Sequence, residues 1–213
     1  MQSMQINYED GLEQGLADWD KIRAVKEAVS VPVFANGNIL FNSDIKACLS
    51  YTGCDAVMSA EGNLYNPGIF SNKHPMHADV ALEYLNIVKS LQTKTSISSV
   101  KGHLFKLMRP ALSRETDLRD RLGTTREGIP EYEAIVKEMK LRMEVRHHQT
   151  INGIGVPIGV KRDAAPYAES DLQELVTVQQ DTGYHIYPHW VAQPYFRALP
   201  KLSTSGGVGH ITA

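Results

Sequence analysis

Cysteine is nearly missing from this chain: Cys48 and Cys54 are the only two in 213 residues. That excludes a disulfide-stapled scaffold and fits a reducing compartment, cytosol or nucleus, with both thiols expected as buried packing residues. No apolar run reaches membrane-spanning length, and the first residues lack the basic-then-apolar order of a signal peptide, so no membrane partner is expected. Charge of one sign is also scarce. A net charge of −2 does not advertise nucleic-acid binding. Metal-ligand patterning is thin as well: His185 and His189 are four apart, but Pro188 argues against a shared helix face and no further ligands cluster nearby. No metal is expected.

What remains is the composition of an ordinary soluble globular protein, 42% hydrophobic and 22% charged, long enough for one large domain or two small ones. The most informative stretch runs from residue 31 to 70. Val31 to Ala35 and Ala56 to Met58 are short apolar runs, each ending in small residues: Asn36-Gly37-Asn38 and Ser59-Ala60-Glu61-Gly62. Between them Ile45, Cys48 and Leu49 share a helix face, with Asn42 or Ser43 as the expected cap and Gly53 suited to the left-handed position after the end. The pattern predicts strand, glycine loop, helix, strand, glycine loop, helix. Continuous apolar strands imply a parallel sheet covered by helices. Backbone N–H groups at two such loops can converge on an anion, as they do after the last strands of eight-stranded barrels. Plain turns have the same composition, and spacing alone leaves both readings open.

These residues resemble a family. Val31-Pro32-Val33-Phe34-Ala35-Asn36-Gly37-Asn38-Ile39, then Gly53-Cys54-Asp55-Ala56-Val57-Met58-Ser59-Ala60-Glu61-Gly62, then Asn66-Pro67-Gly68-Ile69-Phe70 are similar to the last two barrel strands of the flavin-dependent tRNA-dihydrouridine synthases. The Ala-Glu-Gly-Asn-Leu version of the second loop resembles the eukaryotic subgroup acting on uridines 16 and 17. Gly15-Leu16-Ala17-Asp18-Trp19 resembles the family's lead-in to the preceding helix, whereas Met4 to Gly11 does not match. Trp19 reads as a packing residue, with ligand contact as the alternative.

The resemblance implies an α/β fold: the C-terminal fragment of a (β/α)8 TIM-type barrel, followed by an all-α helical bundle. It implies FMN as cofactor, NADPH as reductant and tRNA as partner, with the target base flipped out of its stack. Asn36, Gly37 and Asn38 match the first FMN loop, and Ala60, Glu61 and Gly62 the second. Amides are the useful groups there, so the Glu61 carboxylate is expected to point elsewhere. The family's proton-donating cysteine lies on an early barrel loop. Neither Cys48, inside a helix, nor Cys54, before a strand, can take that role, so no catalytic residue is assigned. With two strands visible, the chain reads as the C-terminal part of a synthase whose first barrel half is missing or supplied by a partner.

Three regions are expected: 1–75 the barrel end, 76–148 the helical tRNA-binding bundle, and 149–213 an irregular tail. Met1 to Leu16 shows no period and predicts an irregular lead-in. Asp18 caps a helix carrying Ile22, Val25, Ala28 and Val29 on one face. Helices are expected over 78–91, with Ile87 on the apolar face, over 100–109, ended or kinked by Pro110, and over 131–148, with Val145 on the buried side. Leu112 to Leu122 reads as a short charged segment. Between Lys101 and His148 stand 11 basic and 8 acidic residues, +3 there and −5 elsewhere, which permits a phosphate-contacting surface. Lys101, Lys106 and Arg109 are the candidate RNA contacts, with a solvated face of mixed charge as the plainer reading. In the tail, residues 169–180 predict a helix, Tyr184, Tyr187, Trp190, Tyr195 and Phe196 read as a cover for the bundle or as base-stacking groups, and 203–213 as disordered. A non-catalytic RNA-binding remnant and another FMN or phosphate-binding barrel oxidoreductase are the alternative functions.

Overall fold

The computed structural model describes residues 4–7, 17–153, 175–178 and 185–194. Strands β1 (Met4–Asn7), β2 (Val33–Asn36) and β3 (Ala56–Met58) form a parallel sheet in that order, Met4 opposite Val33 and Phe34 opposite Ala56. Parallel neighbours require crossovers, and α1 (Trp19–Ala28) and α2 (Asn42–Thr52) supply them. Ile22, Val33, Ala35, Ile39, Cys48, Cys54 and Ile69 make the core between helices and sheet. Asp18 caps α1 through its carboxylate, which accepts the Asp20 and Lys21 N–H groups at 3.0 and 3.1 Å. Asp55 ties the other end together, accepting the Lys26 ammonium and the Val33 N–H, each at 2.7 Å. Because all three strands run the same way, the segments after β2 and β3 emerge at one edge of the sheet.

A short helix α3 (Glu61–Tyr65) and a 3-10 turn (Ile69–Ser71) lead into α4 (His77–Ser90), α5 (Ile97–Leu107), α6 (Arg109–Leu112), α7 (Thr116–Thr124) and α8 (Ile129–Gly153). Leu85, Leu104, Met108, Leu118, Leu122, Tyr132, Ile135, Met139 and Met143 are fully buried among them. α4 lies against α8 with Lys140–Asp79 (2.7 Å) and Lys89–Glu133 (2.8 Å) at opposite ends. The segment 187–194 lies on this helical part: Met76 and Val191 form an antiparallel bridge, and the His77 N–H donates to the Trp190 carbonyl. The Gln193 amide closes it, accepting from the Tyr187 N–H and donating to the Tyr187 and Pro188 carbonyls.

Several expectations are corrected. The lead-in is not wholly irregular, because Met4–Asn7 is a third parallel strand. Four residues reading Met-Gln-Ile-Asn carry no strong local signal, and pairing with β2 decides their state. The cap of α2 is neither Asn42 nor Ser43. Asp44 reaches back to accept the Leu40 and Phe41 N–H groups at 2.9 and 2.8 Å, while Asn42 donates to the Ile69 carbonyl. The charged segment after Leu112 holds helix α7, and with α6 five helices follow residue 76 among the described residues. Ile87 and Val145 are about half exposed, at 51% and 49%, because they flank the apolar stripes they seemed to extend. Of the helix expected over 169–180, the described part holds instead β4 (Thr177–Val178), antiparallel to β5 (His185–Ile186). Tyr184, Tyr195, Phe196 and residues 203–213 lie outside the described residues. Other expectations hold: Gly53 ends α2 at φ +68°, Pro110 stands in the first turn of α6, and Tyr187 and Trp190 are buried on the helices.

Candidate functional site

Two loops leave the same sheet edge and touch. After β2, Gly37 has φ +140° and Asn38 has φ +57°, a pair of left-handed conformations that L side chains rarely adopt. Space imposes glycine as well as φ: a Cβ on Gly37 would lie 2.4 Å from the Ala17 Cβ. The Trp19 indole N–H donates to the Gly37 carbonyl at 3.2 Å, tying α1 to the loop.

After β3, Ser59 joins the second loop to the first. Its hydroxyl donates to the Ile39 carbonyl at 2.7 Å and accepts the Asn63 N–H at 3.1 Å, thereby capping α3. Gly62 is buried at this junction. A Cβ there would stand 2.5 Å from the Ile39 carbonyl oxygen and 2.7 Å from the Ser59 hydroxyl, so only glycine lets the loops meet this closely. The first intrahelical bond of α3 runs from Leu64 N–H to Ala60 carbonyl, so the Glu61 and Gly62 amides come before the helical ladder begins. Ala60 and Glu61 are exposed, and Asn36, Gly37 and Asn38 are half-buried. The sequence-derived residues Asn36, Gly37, Asn38, Ala60, Glu61 and Gly62 therefore lie on two contiguous loops. Backbone amides that follow adjacent parallel strands are a donor type that suits an anion.

Ser59 is not among the sequence candidates, and Trp19 enters there as a packing residue with ligand contact as the alternative. Ser59 carried a signal, as a hydroxyl residue between a strand and a helix is a cap candidate. The bond from Trp19 had none, since it spans 18 residues. Cys48 and Cys54 are free and buried, and burial pushes the Cys48 thiol pKa up, consistent with packing roles. Among the described residues there is no group of three or more His, Cys, Asp or Glu placed to hold a metal ion. No helix among them is long and apolar enough to cross a membrane.

A family model described as dihydrouridine synthase (Dus) matches residues 8–147. The chain belongs to the dihydrouridine synthase family. Within it, a protein of Schizosaccharomyces pombe named tRNA-dihydrouridine(16/17) synthase (NAD(P)(+)) is 37% identical over 200 residues, covering 87% of this chain and 46% of its own. The Saccharomyces cerevisiae protein of the same name is 34% identical over 209 residues, covering 91% of this chain and 46% of its own. A "-like" protein of that name from Rattus norvegicus is 35% identical over 189 residues, covering 88% of this chain and 36% of its own. The chain spans less than half the length of each of these three relatives.

The three candidate RNA contacts of this family member fare differently. Lys101 is engaged within the chain: its ammonium donates to the Gly123 and Thr125 carbonyls, both at 2.9 Å, closing the C-terminal end of α7. That engagement uses two of the ammonium's three N–H groups. Lys106 and Arg109 are exposed. Much of the local basic excess is also spent internally. Arg121 pairs with Glu131 and Glu138, and Arg142 with Glu115, Asp117 and Glu138. Glu115, with its side chain 6% exposed, also takes Arg146. Burial alone would raise the Glu115 pKa, but the two guanidinium groups outweigh it and hold the carboxyl below its ordinary value.

Proposed function

We propose that this protein acts in the reduction of uridine to dihydrouridine in tRNA, and that its two glycine loops hold the phosphate of FMN. The observation that supports the reading is the junction at Ile39, Ser59 and Gly62, which joins the segments that follow β2 and β3. The donor set fits the group: backbone amides can bind a dianion without a competing carboxylate, provided the exposed Glu61 side chain turns to solvent. When bound, FMN would supply the redox chemistry, carrying reducing equivalents from NAD(P)H to the base. This chain's residues would bind and orient. Gly37 and Asn38 would donate from one side, Glu61 and Gly62 from the other, with Ser59 keeping the two at fixed separation. The sheet and its helices read as one end of a TIM-type barrel, and α4 to α8 as the bundle that contacts tRNA, with Lys106 and Arg109 as exposed candidate contacts. Family membership disfavours an unrelated phosphate-binding barrel.

The test is a chimera of the Schizosaccharomyces pombe relative in which residues 17–153 of this chain replace the matching segment. It is expected to retain flavin through gel filtration and to form dihydrouridine in a tRNA transcript. A folded chimera with neither property would overturn the proposal. One that keeps flavin without product would leave only the cofactor half standing.

A further inference from the structure

Resting on the cofactor reading above, we propose that Trp19 is a positioning residue for the bound phosphate: its indole N–H fixes the peptide between Gly37 and Asn38, and so the direction of the Asn38 amide. The peptide unit is planar, with C=O and N–H pointing opposite ways. A donor that holds the Gly37 oxygen therefore aims the Asn38 N–H away from the indole, and the indole bond is 3.2 Å. Gly37 at φ +140° takes a conformation that glycine adopts freely and Asn38 at φ +57° one that asparagine tolerates, so a neighbour's hydrogen bond can set which way the peptide between them faces. The α1 lead-in holds this pair twice, by the indole bond and by Ala17 packed so closely that Gly37 cannot carry a Cβ.

Packing alone would not require an indole. Trp19 is half-buried rather than part of the closed core, its ring 6.1 Å from that of Tyr51, and a phenyl ring would serve that contact. What phenylalanine lacks is the N–H. The ring is itself held in place: the Tyr51 hydroxyl donates to the Asp20 carboxylate at 2.7 Å, bracing the start of α1 against α2. Trp19 thus acts through the loop and need not touch the cofactor.

The experiment compares the wild-type chain with Trp19→Phe, both 15N-labelled, during titration with FMN. Thermal unfolding is followed alongside. Removing one part-buried hydrogen bond is expected to raise the FMN dissociation constant about three- to tenfold. Exchange of the Asn38 amide is expected to quicken, while Ile22 in α1 and Cys48 in α2 keep their rates. Where Phe leaves the chain unfolded, benzothienylalanine at position 19, which replaces the indole N–H by sulfur at nearly the same shape, takes its place. Unchanged FMN affinity in the variant overturns the proposal, whether or not Asn38 exchanges faster, because the indole would then order the loop without serving the phosphate. A wild-type chain in which FMN shifts neither loop overturns the cofactor reading itself, and that failure is visible before any variant is made.

Discussion

Gly62→Ala tests the loop junction directly. The added Cβ would sit 2.5 Å from the Ile39 carbonyl oxygen and 2.7 Å from the Ser59 hydroxyl. Neither neighbour can swing aside cheaply, because the first is backbone and the second both donates to Ile39 and accepts from Asn63. Relief requires the loops to part, which breaks two hydrogen bonds worth about 0.5–1.5 kcal/mol each. Alanine recovers at most about 1 kcal/mol in helix propensity at this first turn. The hydrogen-bond loss of about 1–3 kcal/mol less that gain leaves about 0–2 kcal/mol, and overpacking strain of at least about 1 kcal/mol brings the expected net loss to about 1–3 kcal/mol. Gly102→Ala is the internal control, since it lies exposed in α5 with nothing within 4 Å of its Cβ position. It should gain about 0.5–1 kcal/mol. Urea unfolding of both variants, at unchanged m-value, reads the two signs. A Gly62→Ala chain within about 0.5 kcal/mol of wild type would refute the close packing of the loops.

Further outcomes follow from the helical part. His77 is fully buried beside His189, and burial, then the charge of His189, lowers its pKa from 6.5 to about 3. The unfolded chain takes up a proton below pH 6.5 that the folded chain refuses, so this stability is complete above pH 6.5 and is lost as pH falls toward 3. The slope is about 1.4 kcal/mol per pH unit, and roughly 2 kcal/mol disappears between pH 6.5 and 5. His189, also lowered by burial, to about 4, adds slope of the same sign, so His77→Leu should remove about half of the slope the two histidines give, and an unchanged slope would contradict the assignment. Lys101→Ala should cost about 1 kcal/mol of stability by uncapping Gly123 and Thr125, with tRNA affinity intact. Lys106→Ala should do the reverse, flattening the salt dependence of tRNA binding by about one unit. The opposite pairing of effects would restore Lys101 to the RNA surface.

How far the sequence reached depended on the range of the interactions involved. Apolar runs, helix faces and glycine positions are local, so β2, β3, α1, α2 and the loops at Gly37 and Gly62 were legible from spacing alone. Met4–Asn7 was not, because an edge strand of mixed polarity exists only through its pairing with β2. Thr177 and Val178 likewise follow their partners at His185 and Ile186 rather than the helical spacing around them. The bonds of Lys101 were not legible because the carbonyls it closes lie 22 and 24 residues away. The bond from Trp19 to Gly37 is hidden for the same reason.

Two loops that hold one phosphate, as proposed, must respond to it together. The direct measurement is a pair of amide-shift titrations of the 15N-labelled chain, one with FMN and one with riboflavin, which has the same ring system without the phosphate. FMN should move the Gly37, Asn38, Glu61 and Gly62 amides along one common saturation curve, and riboflavin should leave them in place. Equal shifts from both ligands, or shifts confined to one loop, would contradict the proposal.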